Sequence, residues 1–226
     1  MRIVTLLAAI GCLSACAGQA TEPDAGAAAT GFENDSRPLG KTLVYECLGY
    51  EFLARLGPGE MAVWLEDEYL VLSQVRSASG VKYEEGNVMF FGKGDEGVIE
   101  VAGQRYPDCQ LAPERAPWED ARRRGVNFRA SGNEPGWYLE YQEGKQVLYV
   151  GAYGSERILL ADPGIQWQEG ARLLQAREGD NELILEIVTE DCNDTMSGAA
   201  YPASVSLVVN GQSLSGCGMD LTIPWE

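Results

Sequence analysis

The sequence predicts an all-β protein built in two halves, and three observations support this. Short apolar runs with alternating side chains recur at near-even spacing, turn residues stand between them, and compact hairpin loops such as Glu85-Gly86-Asn87 and Asn210-Gly211 join several of them. The 226 residues carry a formal net charge of −17 and no histidine. That balance disfavours nucleic-acid binding and excludes Ser-His-Asp and Cys-His catalysis.

Arg2 is followed by an apolar run from Ile3 to Leu13. The run is too short to span a bilayer but suits a secretory signal. It ends in Leu13-Ser14-Ala15-Cys16, which resembles the bacterial lipobox, so residues 1–15 are expected to leave and Cys16 to become the acylated first residue. Acyl chains hold firmly, since each buried methylene contributes about 0.8 kcal/mol. Ala17 is not the Asp that commonly retains lipoproteins at the inner membrane, so the outer membrane, facing the periplasm, is expected. From Ala17 to Gly40 the chain is rich in Ala, Gly and Thr without periodicity, which reads as a disordered tether. Its root-mean-square reach would be roughly 25–30 Å.

Residues 41–112 read as the first β domain. Strands are expected at Leu43–Cys47, Tyr50–Leu56, Met61–Glu66, Tyr69–Val75, Val81–Glu84, Val88–Phe91, Gly97–Val101 and Gln104–Cys109. This many short strands indicates a sandwich or a barrel, and a barrel would remove exposed edges. Tyr45, Trp64, Leu70, Leu72 and Phe90 or Phe91 are the core candidates. A hairpin centred on Gly86 would set Tyr83 opposite Met89, Val81 opposite Phe91 and Ser79 opposite Lys93. A hydroxyl and an ammonium would then stand together at one end, among Gly80, Gly92 and Gly94.

The segments SASGVKY and FFGKGDEG resemble the two signatures of the membrane-bound and periplasmic inhibitors of c-type lysozyme. There, a Ser-Gly-x-x-Tyr segment is followed by an aromatic-rich segment ending in Lys-Gly. The matching positions are Ser79, Gly80 and Tyr83, then Lys93 and Gly94. Two positions depart: Gly92 stands where a hydroxyl residue is usual, and Phe91 where Trp is common. The resemblance covers about residues 41–112. It implies a small antiparallel barrel of about eight strands, c-type lysozyme as the protein partner, no catalysis and no cofactor. A monomer is expected.

Residues 113–125 interrupt the pattern with two prolines near the start of the stretch and Arg122-Arg123-Arg124, and read as an interdomain linker with room for one helical turn and with solvated arginines. Residues 126–226 read as a second β-rich domain. Hairpins are expected around Glu143-Gly144-Lys145, between Ala171–Arg177 and Leu183–Thr189, and at Asn210-Gly211, the preferred type I′ pair. The segments ASGNEPGWYLE, DTMSGAAYP and LSGCGMDL resemble an uncharacterised domain of bacterial envelope lipoproteins, which implies no activity. Asn133, Glu134, Asp194, Thr195 and Ser197 are read as caps and turn hydrogen-bonders, with a small polar pocket as the alternative.

With Cys12 leaving and Cys16 acylated, Cys47, Cys109, Cys192 and Cys217 remain. Four cysteines allow three connectivities. Pairing within each half, Cys47 with Cys109 and Cys192 with Cys217, is the simplest and suits an oxidising compartment. It would stabilise by about 4 and 3.5 kcal/mol on the loop-entropy model. A zinc site is disfavoured, because CxxC spacing and histidine are both missing. Two rival functions remain: an envelope binding or scaffold lipoprotein with another partner, and a serine-lysine hydrolase using Ser79 and Lys93.

Overall fold

The computed structural model describes residues 40–66, 68–168 and 170–223. The expected signal peptide, the Cys16 lipidation site and the tether lie outside the described residues. The first half is a closed eight-stranded antiparallel barrel in simple chain order. Its strands are β1 (Thr42–Cys47), β2 (Tyr50–Gly57), β3 (Glu60–Trp64), β4 (Tyr69–Val75), β5 (Val81–Glu85), β6 (Val88–Lys93), β7 (Glu96–Val101) and β8 (Gln104–Leu111). Pairing of Tyr45 with Leu111 and of Glu46 with Gln110 closes it, leaving no edge strand to aggregate.

Alternation decides which side chains fill the barrel. Tyr45, Phe52, Met61, Leu72, Tyr83, Phe90 and Ile99 point inward. Tyr45 stacks on Phe52 with ring centroids 5.2 Å apart and meets Phe90 at 5.0 Å. Burying a side chain of this kind contributes about 1.5–3 kcal/mol. Two glycines make room for Phe90. Gly92 and Gly97 face each other across β6 and β7, and a Cβ on them would stand 2.9 and 2.7 Å from the Phe90 ring. The Cys47–Cys109 disulfide joins β1 to β8 within this half.

The β5–β6 hairpin differs from expectation by one residue. Its loop is the pair Gly86-Asn87, so Glu85 pairs with Val88, Tyr83 with Phe90 and Val81 with Gly92. Core packing selects this register. Tyr83, Val88 and Phe90 are all buried in the barrel, and a slip of one residue would turn Met89 and Phe91 inward instead. Trp64 is also not a barrel-core residue. It faces outward and is capped by the Arg123 guanidinium, 3.9 Å from its ring centroid.

Residues 113–125, expected as a linker with room for one helical turn, hold a longer helix, α1 (Ala116–Arg123). Pro117 occupies its first turn with Glu119, and Arg122 and Arg123 sit in its last, a distribution that complements the helix dipole. It is tied to the barrel by Thr42, which donates to Asp120 at 2.9 Å, and by Arg123 over Trp64, while its Trp118 and Ala121 pack with Val126, Tyr201 and Leu221 of the second half. The arginines are not solvated as expected. Arg115 reaches Glu46 and Glu51 at 2.5–2.8 Å, Arg122 donates to Glu119 at 2.7 Å and to the Leu221 carbonyl at 2.9 Å, and Arg124 grips Glu140 at 2.6 and 2.7 Å.

The second half is one nine-stranded antiparallel sheet. Its strands are β9 (Phe128–Asn133), β10 (Gly136–Gln142), β11 (Gln146–Gly151), β12 (Glu156–Ala161), β13 (Gln166–Gln168), β14 (Ala171–Glu178), β15 (Asn181–Asn193), β16 (Ala200–Val209) and β17 (Gln212–Asp220). The spatial order is β12-β11-β10-β9-β17-β16-β15-β14-β13, and the sheet curls until β12 lies beside β14. Its concave face holds a second core that includes Phe128, Leu139, Tyr149, Leu174, Leu185 and Leu207. Asn210 and Gly211 form the two-residue β16–β17 loop with φ of +49° and +83°, the all-positive geometry of a type I′ turn. The Cys192–Cys217 disulfide ties β15 to β17.

Candidate functional site

The residues singled out in the first half gather at one end of the barrel. Ser79 and Gly80 end the β4–β5 connection, and Lys93 and Gly94 form the corner between β6 and β7. Gly80 brings the two segments together. Its φ is +67°, and a Cβ there would stand 2.4 Å from the Gly92 carbonyl oxygen. Only glycine allows this approach and this backbone conformation. The Ser77 hydroxyl donates to the Gly80 carbonyl at 2.9 Å and fixes the connection. Gly94, at φ +65°, has open space where a side chain would be.

Ser79 and Lys93 are both exposed. Neither the Ser79 hydroxyl nor the Lys93 ammonium has a hydrogen-bond or ion-pair partner among the described residues. The two do not face each other as a direct cross-strand pair, because the ladder begins at Val81 opposite Gly92. Tyr83 is 6 % exposed and lies within the barrel core. Its neighbour Tyr45 has its phenol pushed up, first by burial and then by the charge of Asp95 in the same β6–β7 corner.

This end can present one cation and one hydroxyl on a surface kept bare by glycine. Such a pair suits a carboxylate-lined cleft: an ammonium meets a carboxylate in a charge-assisted bond, and a hydroxyl donates to a second one. It does not suit catalysis by a Ser-Lys dyad. A lysine becomes a base when stripped of water, and Lys93 stands in solvent.

Comparison with known families falls on this half. Residues 45–107 match the family described as membrane-bound lysozyme-inhibitor of c-type lysozyme. The match runs from inside β1 to inside β8 and includes every residue just placed at the barrel end. The barrel half therefore resembles these inhibitors in sequence, and the second half lies outside the match. No curated protein and no solved structure matches the chain.

In the second half, the three unusual segments meet around one polar cavity of about 570 Å³ lined by Asn133, Glu134, Asp194 and Thr195. The hydrogen bonds there are those of caps and turns. Asp194 accepts from the Ser197 and Met196 backbone N–H groups at 2.7 and 3.0 Å and from the Ser197 hydroxyl at 2.8 Å. Asn133 donates to Asp194 at 2.8 Å and to Thr195 at 3.0 Å. The Ser197 N–H bond, with those from Asn133 and Met196, holds the Asp194 carboxyl below its ordinary range.

Proposed function

We propose that this protein is an envelope lipoprotein that inhibits c-type lysozyme by presenting Lys93 and Ser79 to its active-site cleft. The observation that carries the reading is the pair of exposed groups, unpartnered among the described residues, on adjoining glycine-rich segments of a barrel matched to that family. Lysozyme cleaves its substrate with two carboxyl groups, one held protonated as general acid and one ionised. An ammonium beside the general acid favours its ionised form and removes the proton it must donate. The Ser79 hydroxyl donates to the second carboxylate, and the bare backbone at Gly80 and Gly94 approaches the cleft walls. The protein performs no chemistry of its own in this scheme. Acylation at Cys16 and a tether through residue 40 would hold it at the periplasmic side of the outer membrane, as a monomer. The strongly acidic chain favours encounter with a basic enzyme.

The test is a pair of inhibition constants against a c-type lysozyme, measured with the chain from residue 17 onward. The barrel alone is the wrong reagent, because Asp120 of α1 and the adjoining Arg115 are bonded to Thr42 and Glu46 of the barrel. The intact chain is expected to inhibit, and Lys93→Ala to weaken inhibition more than Ser79→Ala. Failure of immobilised lysozyme to capture the chain would favour a scaffold with another partner.

A further inference from the structure

The curled sheet of the second half is open at one end, and a cavity of about 570 Å³ occupies its mouth. Ligand sites favour such openings and this range of volumes, roughly 300–1,000 Å³. Inward-facing residues of several strands converge there: Phe128 from β9, Tyr141 from β10, Arg172 from β14 and Asp220 from β17. We propose that this mouth is a saccharide-binding site for one or two neutral pyranose rings, with Trp167 as the stacking platform and Arg172 with Asp220 as the hydroxyl fork.

Trp167 and Arg172 are direct cross-strand partners on β13 and β14. The indole is 75 % exposed at the cavity rim, an unusual position for the largest side chain of all. Its electron-rich face suits the weakly positive C–H face of a pyranose. Beside it, the Arg172 side chain is only 17 % exposed and lies over the Phe128 ring at 5.1 Å. Among the described residues its single hydrogen bond is a 3.4 Å contact with Asp220, so most of its five donors are uncommitted. A guanidinium donor next to a carboxylate acceptor matches adjacent sugar hydroxyls, which both donate and accept.

The rest of the mouth is rigid and sets the ligand's charge. Asp162 accepts from Gly144 N–H and Gly164 N–H, each at 2.6 Å, and from the Tyr141 hydroxyl at 3.2 Å, which locks the floor in place. Burial, together with Asp162, pushes the Tyr141 phenol up to about 12, so it stays a donor. Glu143, Asp162 and Asp220 outnumber Arg172 as charges. That excess disfavours anions and leaves a neutral polyhydroxyl ligand as the fitting class.

The test is calorimetric titration of the chain from residue 17 with chitotetraose, cellotetraose and maltotetraose, repeated on Trp167→Ala and Arg172→Gln. Saturable binding of at least one tetrasaccharide is expected, weakened at least tenfold by each substitution. Trp167 is exposed, so its replacement leaves the fold intact. Arg172→Gln is checked by circular dichroism. No binding by any of the three sugars, or binding that survives Trp167→Ala, overturns the proposal. Lysozyme inhibition should be equal in all variants, because the mouth and the barrel end use different residues.

Discussion

Two sets of positive charges in this molecule do opposite work. At the joint around α1, Arg115, Arg124 and Arg129 are each held by carboxylates, and Glu140 serves both Arg124 and Arg129 while almost wholly buried. At the barrel end, Lys93 is exposed with no partner of its own among the described residues. Arg115 ties the start of α1 to the barrel and Arg124 ties its end to the second half; Lys93, in the proposed function, is the charge offered to a partner. A charge committed internally cannot also meet a partner, so free and locked cations mark where binding and architecture divide.

The sharpest way to break this contrast is Glu140→Ala. It leaves Arg129 buried without its carboxylate, and losing one partner of a buried pair costs about 3–5 kcal/mol. Denaturant unfolding should show that loss, while inhibition per folded molecule stays the same. Lys93→Ala should do the reverse. A desolvated charge pair is worth about 2–5 kcal/mol of binding, with stability unchanged to within about 0.5 kcal/mol. Equal inhibition constants for Lys93→Ala and the parent would remove the proposed mechanism. Ser79→Ala should cost roughly 1.5–3 kcal/mol of binding, the worth of a hydrogen bond to a charged group.

Gly97→Ala probes the ground between the two sets. Its methyl would press on the Phe90 ring from 2.7 Å, and overpacking of this kind costs about 1–3 kcal/mol of stability. The smallest expected effect is on pH. Burial alone would raise the Asp120 carboxyl, but hydrogen bonds from Thr42 and Arg124 hold it below its ordinary value. A depressed carboxyl contributes stability above its unfolded pKa of about 3.9 and loses it as pH falls through the folded value. Thermal unfolding of the parent should therefore weaken below about pH 4, and Asp120→Asn should flatten that limb.

Much of this was legible in the chain. All eight barrel strands were readable because each is short, alternating and bounded by turn residues, whereas Ser79, Lys93 and their glycines stood out through the resemblance of their two segments to the inhibitor signatures. The register of the β5–β6 hairpin was not. Glu85-Gly86-Asn87 permits a loop of two or three residues, and the choice rests on Tyr83 and Phe90 both filling the barrel. Helix α1 was legible only as a single turn within a linker, because eight residues containing a proline and two arginines are too short to read as a packed element. What makes it a helix is the surface it covers. The mouth of the curled sheet was hidden, since Phe128 meets Asp220 through a pairing distant in sequence and Arg172 reaches that same Asp220 from the far side of the sheet.

The helix between the halves has a consequence for descent. A gene fusion begins as beads on a string, each free to be lost. Here the connector has become wall plaster for one room and a beam for the next, with Asp120 bonded to Thr42 on one side and Arg124 to Glu140 on the other. Deleting the downstream half would take Tyr201 and Leu221 from Trp118 and Ala121 of the helix and Glu140 from Arg124, so the two are expected to be inherited as a unit.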